Sequence, residues 1–394
     1  MPKTAEIAVL SVNGTKFSAW TDFWVRRDYM GVASTFQFSA TEAIDANTQF
    51  QNWRIQPGDQ CTITLAGILA LTGHIDVRQG SYNKNEHGVL FAGRSNTADA
   101  VDSSANVKGS QFKGYTFQQI ASAILQPAGV NLTISGSPPG LDQPFDNFSI
   151  RLGETAFMAV ERLARLRNLR LTDDANGNMV ASYSGSNQAS GAQLVEGRNI
   201  LQARATIDVS NSYRDTNVRA QGQGSDSSFA TNDVSARSTN SNVRATRSKI
   251  ILLEEPGSAQ DVQQRVEHEL AFQGTAEIDC SIVVQGWQAS DGELWDVNKT
   301  YTVNSPMLDL NRALKSKSVV YAQNEAGTIT TIELCTPESL TGKADITSPG
   351  AGAGQGGSGD STYSNDVPPG SPTVDPPSWQ GGFDSSGQGG SPIA

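Results

Sequence analysis

Residues 153–180, GETAFMAVERLARLRNLRLTDDANGNMV, constrain the fold of this chain more than any other stretch. Ala156, Phe157, Val160, Leu163 and Ala164 recur at helical spacing and give one apolar stripe, while Arg162, Arg165 and Arg167 lie off it. Leu169 and Leu171 then alternate with polar neighbours as in a short strand. Asp174 to Gly177 supplies residues that reach positive φ at little cost, so the chain reverses and returns through Met179 and Val180. The unit reads as helix, strand, turn, strand.

Elsewhere the composition favours strands. A chain of 394 residues suggests two to four domains, and 38 glycines with a charged fraction of 18% favour β-rich structure with many turns. Two other helices stand out. One follows Thr116, with Gln119 three places on as a capping box and Phe117, Ile120, Ala121, Ile124 and Leu125 on one face. The other follows Ser258 and repeats Val262, Val266 and Leu270.

A net charge of −11 argues against a protein that grips nucleic acid through its phosphates, because that affinity comes from Lys and Arg. No apolar run reaches the ~20 residues that span a bilayer, and MPKTAEIAVLSVNG lacks the pattern of a signal peptide, which points to synthesis and assembly in a cytoplasm. Cys61, Cys280 and Cys335 lie far apart in strand-like sequence and read as buried free thiols.

Four regions follow from the pattern. Residues 1–98 carry short strands (7–12, 16–20, 33–40, 61–65, 68–78 and 88–94) with turns at Asn13-Gly14 and Pro57-Gly58-Asp59, spaced as in a barrel or sandwich. Residues 99–190 are mixed α+β and leave through SYSGSNQASGAQ, read as a linker or exposed loop. Residues 191–340 are strand-rich again around the third helix, 258–274, and end in an antiparallel meander; the polar stretch 222–242 reads as a long loop. Residues 341–394, rich in Gly, Ser and Pro, read as a disordered tail, or as a docking arm anchored by Tyr363, Trp379 and Phe383. No residue-level repeat relates the two strand-rich regions.

A search for reactive constellations yields no catalytic, cofactor-binding or metal-ligating residues. His74, His87 and His268 lie in unrelated contexts, and EHEL around His268 provides no second His one helical turn away. No phosphate loop or nucleophile elbow is present, and GQGSDS at Gly222 lacks the third glycine of a dinucleotide fingerprint. Glu154 starts a helix, where its charge complements the dipole. Trp24, Trp53, Trp287 and Trp295 are scattered and read as core or interface anchors. Arg162, Arg165, Arg167 and Arg170 read as a solvated helix face or, within an assembly, as a contact with acidic partner surfaces.

The order GE-T-x-F-x-A-x-E-R-L-A-R followed by L-x-L-T-x-D-x-x-G-N resembles the central domain of baseplate hub proteins of Mu-like contractile-tail phages. FAGRSNTADAVDSSA (91–105) resembles the segment leaving that family's first barrel, and QFKGYTFQQIASAI (111–124) its following helix. Residues 194–222 and 283–339 resemble its third domain. The resemblance implies two tube-protein-like β-barrels flanking the mixed domain, at 1–98 and 191–340. It also implies a homotrimer with pseudo-sixfold symmetry that joins the tail tube to the central spike in the virion and leaves a channel for DNA and tape-measure protein. The partners implied are tube, spike, tape-measure and baseplate wedge proteins, with no cofactor and no enzymatic activity. An acidic surface suits a conduit through which DNA must slide. The alternatives are a tail-associated peptidoglycan-cleaving enzyme and the hub part of a secretion-system spike.

Overall fold

The computed structural model describes residues 6–42, 55–84, 87–138, 140–167, 169–183, 188–210, 212–221, 233–240, 243–252, 277–325 and 327–340, all within the unit 1–346. The expected helix 258–274, the tail 341–394 and residues 222–232 of the expected loop lie outside these.

Seven strands come first: β1 (Ala8–Val12), β2 (Thr15–Phe17), β3 (Asp22–Asp28), β4 (Thr35–Glu42), β5 (Gln60–Leu65), β6 (Ile68–Tyr82) and β7 (His87–Ser95). The mixed segment contains α1 (Ala98–Asp102), β8 (Gln111–Phe112), α2 (Phe117–Leu125), β9 (Leu132–Ser135), β10 (Phe148–Ser149), α3 (Ala156–Arg165), β11 (Leu169–Asp173) and β12 (Met179–Tyr183). Then follow β13 (Gln188–Val195), β14 (Ile200–Asp208), β15 (Asp215–Gln221), β16 (Asp233–Thr239), β17 (Ser248–Leu252), β18 (Glu277–Gln285), β19 (Lys299–Ser305), β20 (Leu310–Asn324) and β21 (Gly327–Cys335).

Strands from both ends of the chain form one 13-stranded sheet, in the order β14-β18-β21-β20-β3-β4-β7-β6-β5-β1-β2, with β19 also on β20 and β13 parallel to β19. The terminal strand sets meet where β3 pairs antiparallel with β20, from Ser318 opposite Asp28 to Gln323 opposite Phe23. Their side chains share one core: the Phe23 ring stacks on Phe38 at 5.0 Å and meets Trp287 edge-on at 5.4 Å. The mixed segment has its own core, in which α2 and α3 pack with the sheet β11-β12-β9.

The helices begin where the capping residues place them. Thr116 Oγ1 accepts from Gln119 N while the Gln119 side chain accepts from Thr116 N at 2.9 Å, and Thr155 accepts from Met158 N at 3.2 Å. The turn after β11 forms as its sequence requires: Asp174 accepts from the amides of Asn176 and Asn178, and Gly177 takes φ +77°. Of the stripe read on α3, Ala156, Val160, Leu163 and Ala164 are buried with Ala159, while Phe157 is half-buried.

Three readings need correction. The second half of the linker SYSGSNQASGAQ forms the start of strand β13, which turns Ala192 and Leu194 inward and pairs with β19. The loop 222–242 contains β16, which pairs along its whole length with β15; its polarity reflects a strand on which little is buried. Strand β3 was not foreseen, because Asp22, Arg26, Arg27 and Asp28 mask the apolar alternation of Phe23 and Val25.

Thr116→Ala removes the cap of α2 and is expected to lower stability by about 1 kcal/mol in chemical denaturation without altering the far-ultraviolet spectrum of the folded state.

Candidate functional site

The three segments converge on a buried polar cluster. On β3, Phe23, Val25 and Arg27 share the inward face, so the Arg27 guanidinium enters the interior. Its Nη1 donates to Asp296 Oδ1 at 2.6 Å, and its Nη2 donates to the Asp173 carbonyl at 3.2 Å. One side chain of the N-terminal set thus bridges the C-terminal set and the mixed segment. Burial opposes the Arg27 cation, but Asp296, Tyr321 and Asp173 outweigh it and the group stays protonated.

Asp173 ends β11 on the same face as Leu169 and Leu171. Its carboxylate accepts from Ser34 N and Ser34 Oγ, each at 2.9 Å. Burial pushes this carboxyl above its usual range, against the pull of Arg27, Ser95 and Ser34. Asp296 is held by its neighbours: Val297 N donates to Oδ1 at 2.7 Å, Ser316 Oγ donates to its carbonyl at 2.7 Å, and its own amide donates to Tyr301 Oη at 3.0 Å. Tyr321 Oη donates to the Trp295 carbonyl. Beside this cluster, Lys315 is buried with its Nζ 4.8 Å from the centre of the Tyr29 ring, and Arg170 lies over the same ring at 5.5 Å. The β11–β12 turn presses on β6 as well: a Cβ on Gly177 would come within 2.9 Å of the Thr72 carbonyl.

In the Arg162 to Arg170 cluster Arg165 lies exposed on the helix, as a solvated face would have it, whereas Arg162, Arg167 and Arg170 have partners within the chain. Arg162 makes a bidentate pair with Glu154 (3.0 and 2.9 Å) and covers the Phe148 ring at 4.4 Å. Arg167 donates to the Gln143 carbonyl at 2.9 Å and covers Phe145 at 4.2 Å, and Arg165 pairs with Glu161 at 3.6 Å. Arg162 and Arg167 tie the mixed segment to itself, and Arg170 ties it to Tyr29 just after β3. Glu154 also accepts from the Arg151 amide at 2.9 Å. Burial alone would raise its carboxyl, but the Arg162 and Arg151 hydrogen bonds hold it below the usual range.

Cys61, Cys280 and Cys335 are buried free thiols, and burial pushes Cys61 up to about 12. Trp287 and Trp295 sit in the core, Trp24 is half-buried, and Trp53 and His268 lie outside the described residues. Among the described residues, no group of three His, Cys, Asp or Glu side chains could hold a metal ion, and no helix is long and apolar enough to cross a membrane. What the site offers is cohesion among segments far apart in sequence, which is the chemistry of a structural part. Sequence reading missed Arg27, Asp173 and Asp296, although charged residues at the inward parity of β3 and β11 were the available signal.

The chain is thus a β-rich protein whose N- and C-terminal strand sets share one sheet, clamped by buried charge, and comparison with known proteins identifies its family. Residues 7–95 match the N-terminal domain of the Mu phage baseplate assembly protein GpP-like family, and residues 97–182 match the second domain of baseplate hub protein gp44-like. Residues 258–342 match the fourth domain of Mu phage baseplate assembly protein GpP. The baseplate hub protein gp44 of Escherichia phage Mu is 28% identical over 343 residues, covering 84% of this chain and 88% of that protein. The 43 kDa tail protein of prophage MuSo2 from Shewanella oneidensis superposes with a TM-score of 0.70 at 24% identity, over 85% of this chain and 99% of that one. A tail protein from Neisseria meningitidis does so at 0.65 and 18% identity, over 85% and 98%. The chain belongs to the baseplate hub family of Mu-like phages, and is a structural protein of the virion tail.

Two outcomes follow from the site. Glu154→Gln is expected to cost about 1–2 kcal/mol at pH 7; because the wild-type carboxyl lies below its usual range, the difference from wild type should disappear as pH falls through the folded-state pKa in acid denaturation series. Desolvation by burial pulls Lys315 down to about 8 from 10.5, so below pH 8 the fold bears the full penalty of a buried cation, and stability from this group rises as pH increases from 8 towards 10.5. Lys315→Met should therefore raise stability at pH 7 by about 2–3 kcal/mol, with the gain over wild type shrinking towards pH 10 in urea titrations.

Proposed function

We propose that three copies of this chain close into a pseudo-sixfold ring that joins the tail tube to the central spike and leaves a channel for DNA and the tape-measure protein. The observation that supports this reading best is the joint sheet. Pairing of β3 with β20 fuses the strand sets of residues 1–98 and 191–340 edge to edge inside one chain, which is the kind of contact a ring of similar units repeats. On this reading the two sets are tube-like barrels flanking the mixed domain 99–190, and tube, spike, tape-measure and wedge proteins dock on the ring. Assembly takes place in the host cytoplasm. The role is mechanical and non-enzymatic: the charged groups at the junction of the segments are occupied in holding them together, as Arg27, Asp173 and Asp296 are.

Light scattering of the purified chain combined with negative-stain imaging tests the reading. A mass of three chains with ring-shaped particles is expected. A compact monomer at all concentrations, or an open filament, would overturn the closed trimer.

A further inference from the structure

The strand order of the large sheet contains a duplication that the residues do not display. The path β3-β4-β7-β6-β5-β1 in the N-terminal set has the same strand order as β14-β18-β21-β20-β19-β13 in the C-terminal set, and the same directions except at the last pair, where β1 runs antiparallel to β5 and β13 parallel to β19. The match extends to detail. Strands β6 and β20 each run for 15 residues, and the following strands β7 and β21 for 9 each. Each long strand has an irregularity midway, between Ile75 and Val77 in β6 and between Ser316 and Ser318 in β20. In each, only the half before that point carries the preceding hairpin strand: β5 reaches His74, and β19 reaches Lys315.

The two copies differ in what covers the second half. In β20, residues 318–323 pair with β3. In β6, residues 77–82 have no described strand on the corresponding edge and are exposed on both faces, Tyr82 to 77%. The counterpart of β3 is β14, and it ends the sheet with its own outer edge unpaired among the described residues. Its inward-facing Ile207 is 45% exposed, and Val209 just beyond it 59%, whereas Val25 on β3 is fully buried by the equivalent pairing. A long edge strand without a covering element is a template for another chain.

We infer that β14 of one copy pairs antiparallel with residues 77–82 of β6 in a second copy, repeating between chains the junction that β3 and β20 make within one. The register transfers from the internal junction: Ala322 opposite Trp24 becomes Ser81 opposite Arg204, and Tyr321 opposite Val25 becomes Gly80 opposite Ala205. This contact is heterologous, uses one β6 edge and one β14 edge per chain, and alternates around a ring with the internal junctions. It rests on the ring proposed above and names the surfaces that close it.

Paired cysteines test this. Opposite residues of an antiparallel pair bring their Cβ atoms close enough for a disulfide. Ser81→Cys with Arg204→Cys probes one face, and Gly80→Cys with Ala205→Cys probes the other, which covers both kinds of cross-strand site. Within one chain six strands separate β6 from β14 along the sheet, so a disulfide between them joins two chains. Mild oxidation of at least one double variant should give covalent dimers and a closed end product on non-reducing gels. Each single variant, the wild type with its buried thiols, and the out-of-register pair Ser81→Cys with Asp208→Cys should stay monomeric on the same gels. Melting curves establish that the variants fold. An oligomer of unchanged mass whose in-register cysteines stay reduced overturns the edge pairing, leaves those edges to another protein or another segment, and leaves the ring standing. A chain that neither oligomerises nor crosslinks overturns both.

Discussion

The backbone ladder between β3 and β20 is the constraint on which the rest of the molecule depends. It joins residues almost three hundred positions apart, so folding must close a very long loop before any of its hydrogen bonds form. What offsets that entropy is the common core on the inner face, where Phe23, Phe38 and Trp287 from both ends of the chain meet. Separating the two strand sets would open that core.

The same pairing determines the fate of the buried charges. Once β3 lies against β20, the strand alternation leaves Arg27 facing inward, and an uncompensated guanidinium there would be strongly destabilising. Asp296 and the Asp173 carbonyl supply its partners, one from the C-terminal strands and one from the mixed segment. Asp173 in turn binds Ser34 of the N-terminal set. A buried ion pair of this kind contributes less net stability than packed apolar groups, yet it tolerates few alternative arrangements, because any other docking of the three segments leaves a charge unpartnered.

Much of the local structure was legible. The caps at Thr116 and Thr155, the stripe on α3 and the Asp174–Gly177 turn follow from interactions within a few residues, so their sequence signals are self-contained. The strands that escaped notice lacked such signals. Strand β3 is heavily charged and β13 reads as a polar linker, and each pairs with a strand from a remote segment, whereas β16 pairs with the neighbouring β15 but lacks an apolar alternation that would mark it. The Arg cluster was visible as a charge pattern, but its use was not, since Phe148, Phe145 and Tyr29 come to it from other elements.

By itself the sequence determined that the chain is β-rich with a capped helical unit at its centre, and through four ordered motifs it identified the family. Those properties are carried by composition, periodicity and short-range contacts. Only the tertiary structure decided that the two ends share one sheet, that Arg27 links all three segments, and that the strand order of the first half recurs in the second. Backbone pairing is indifferent to most side chains, so two halves can keep one topology after their residues have diverged beyond recognition, and which edge meets which is settled by the folded whole.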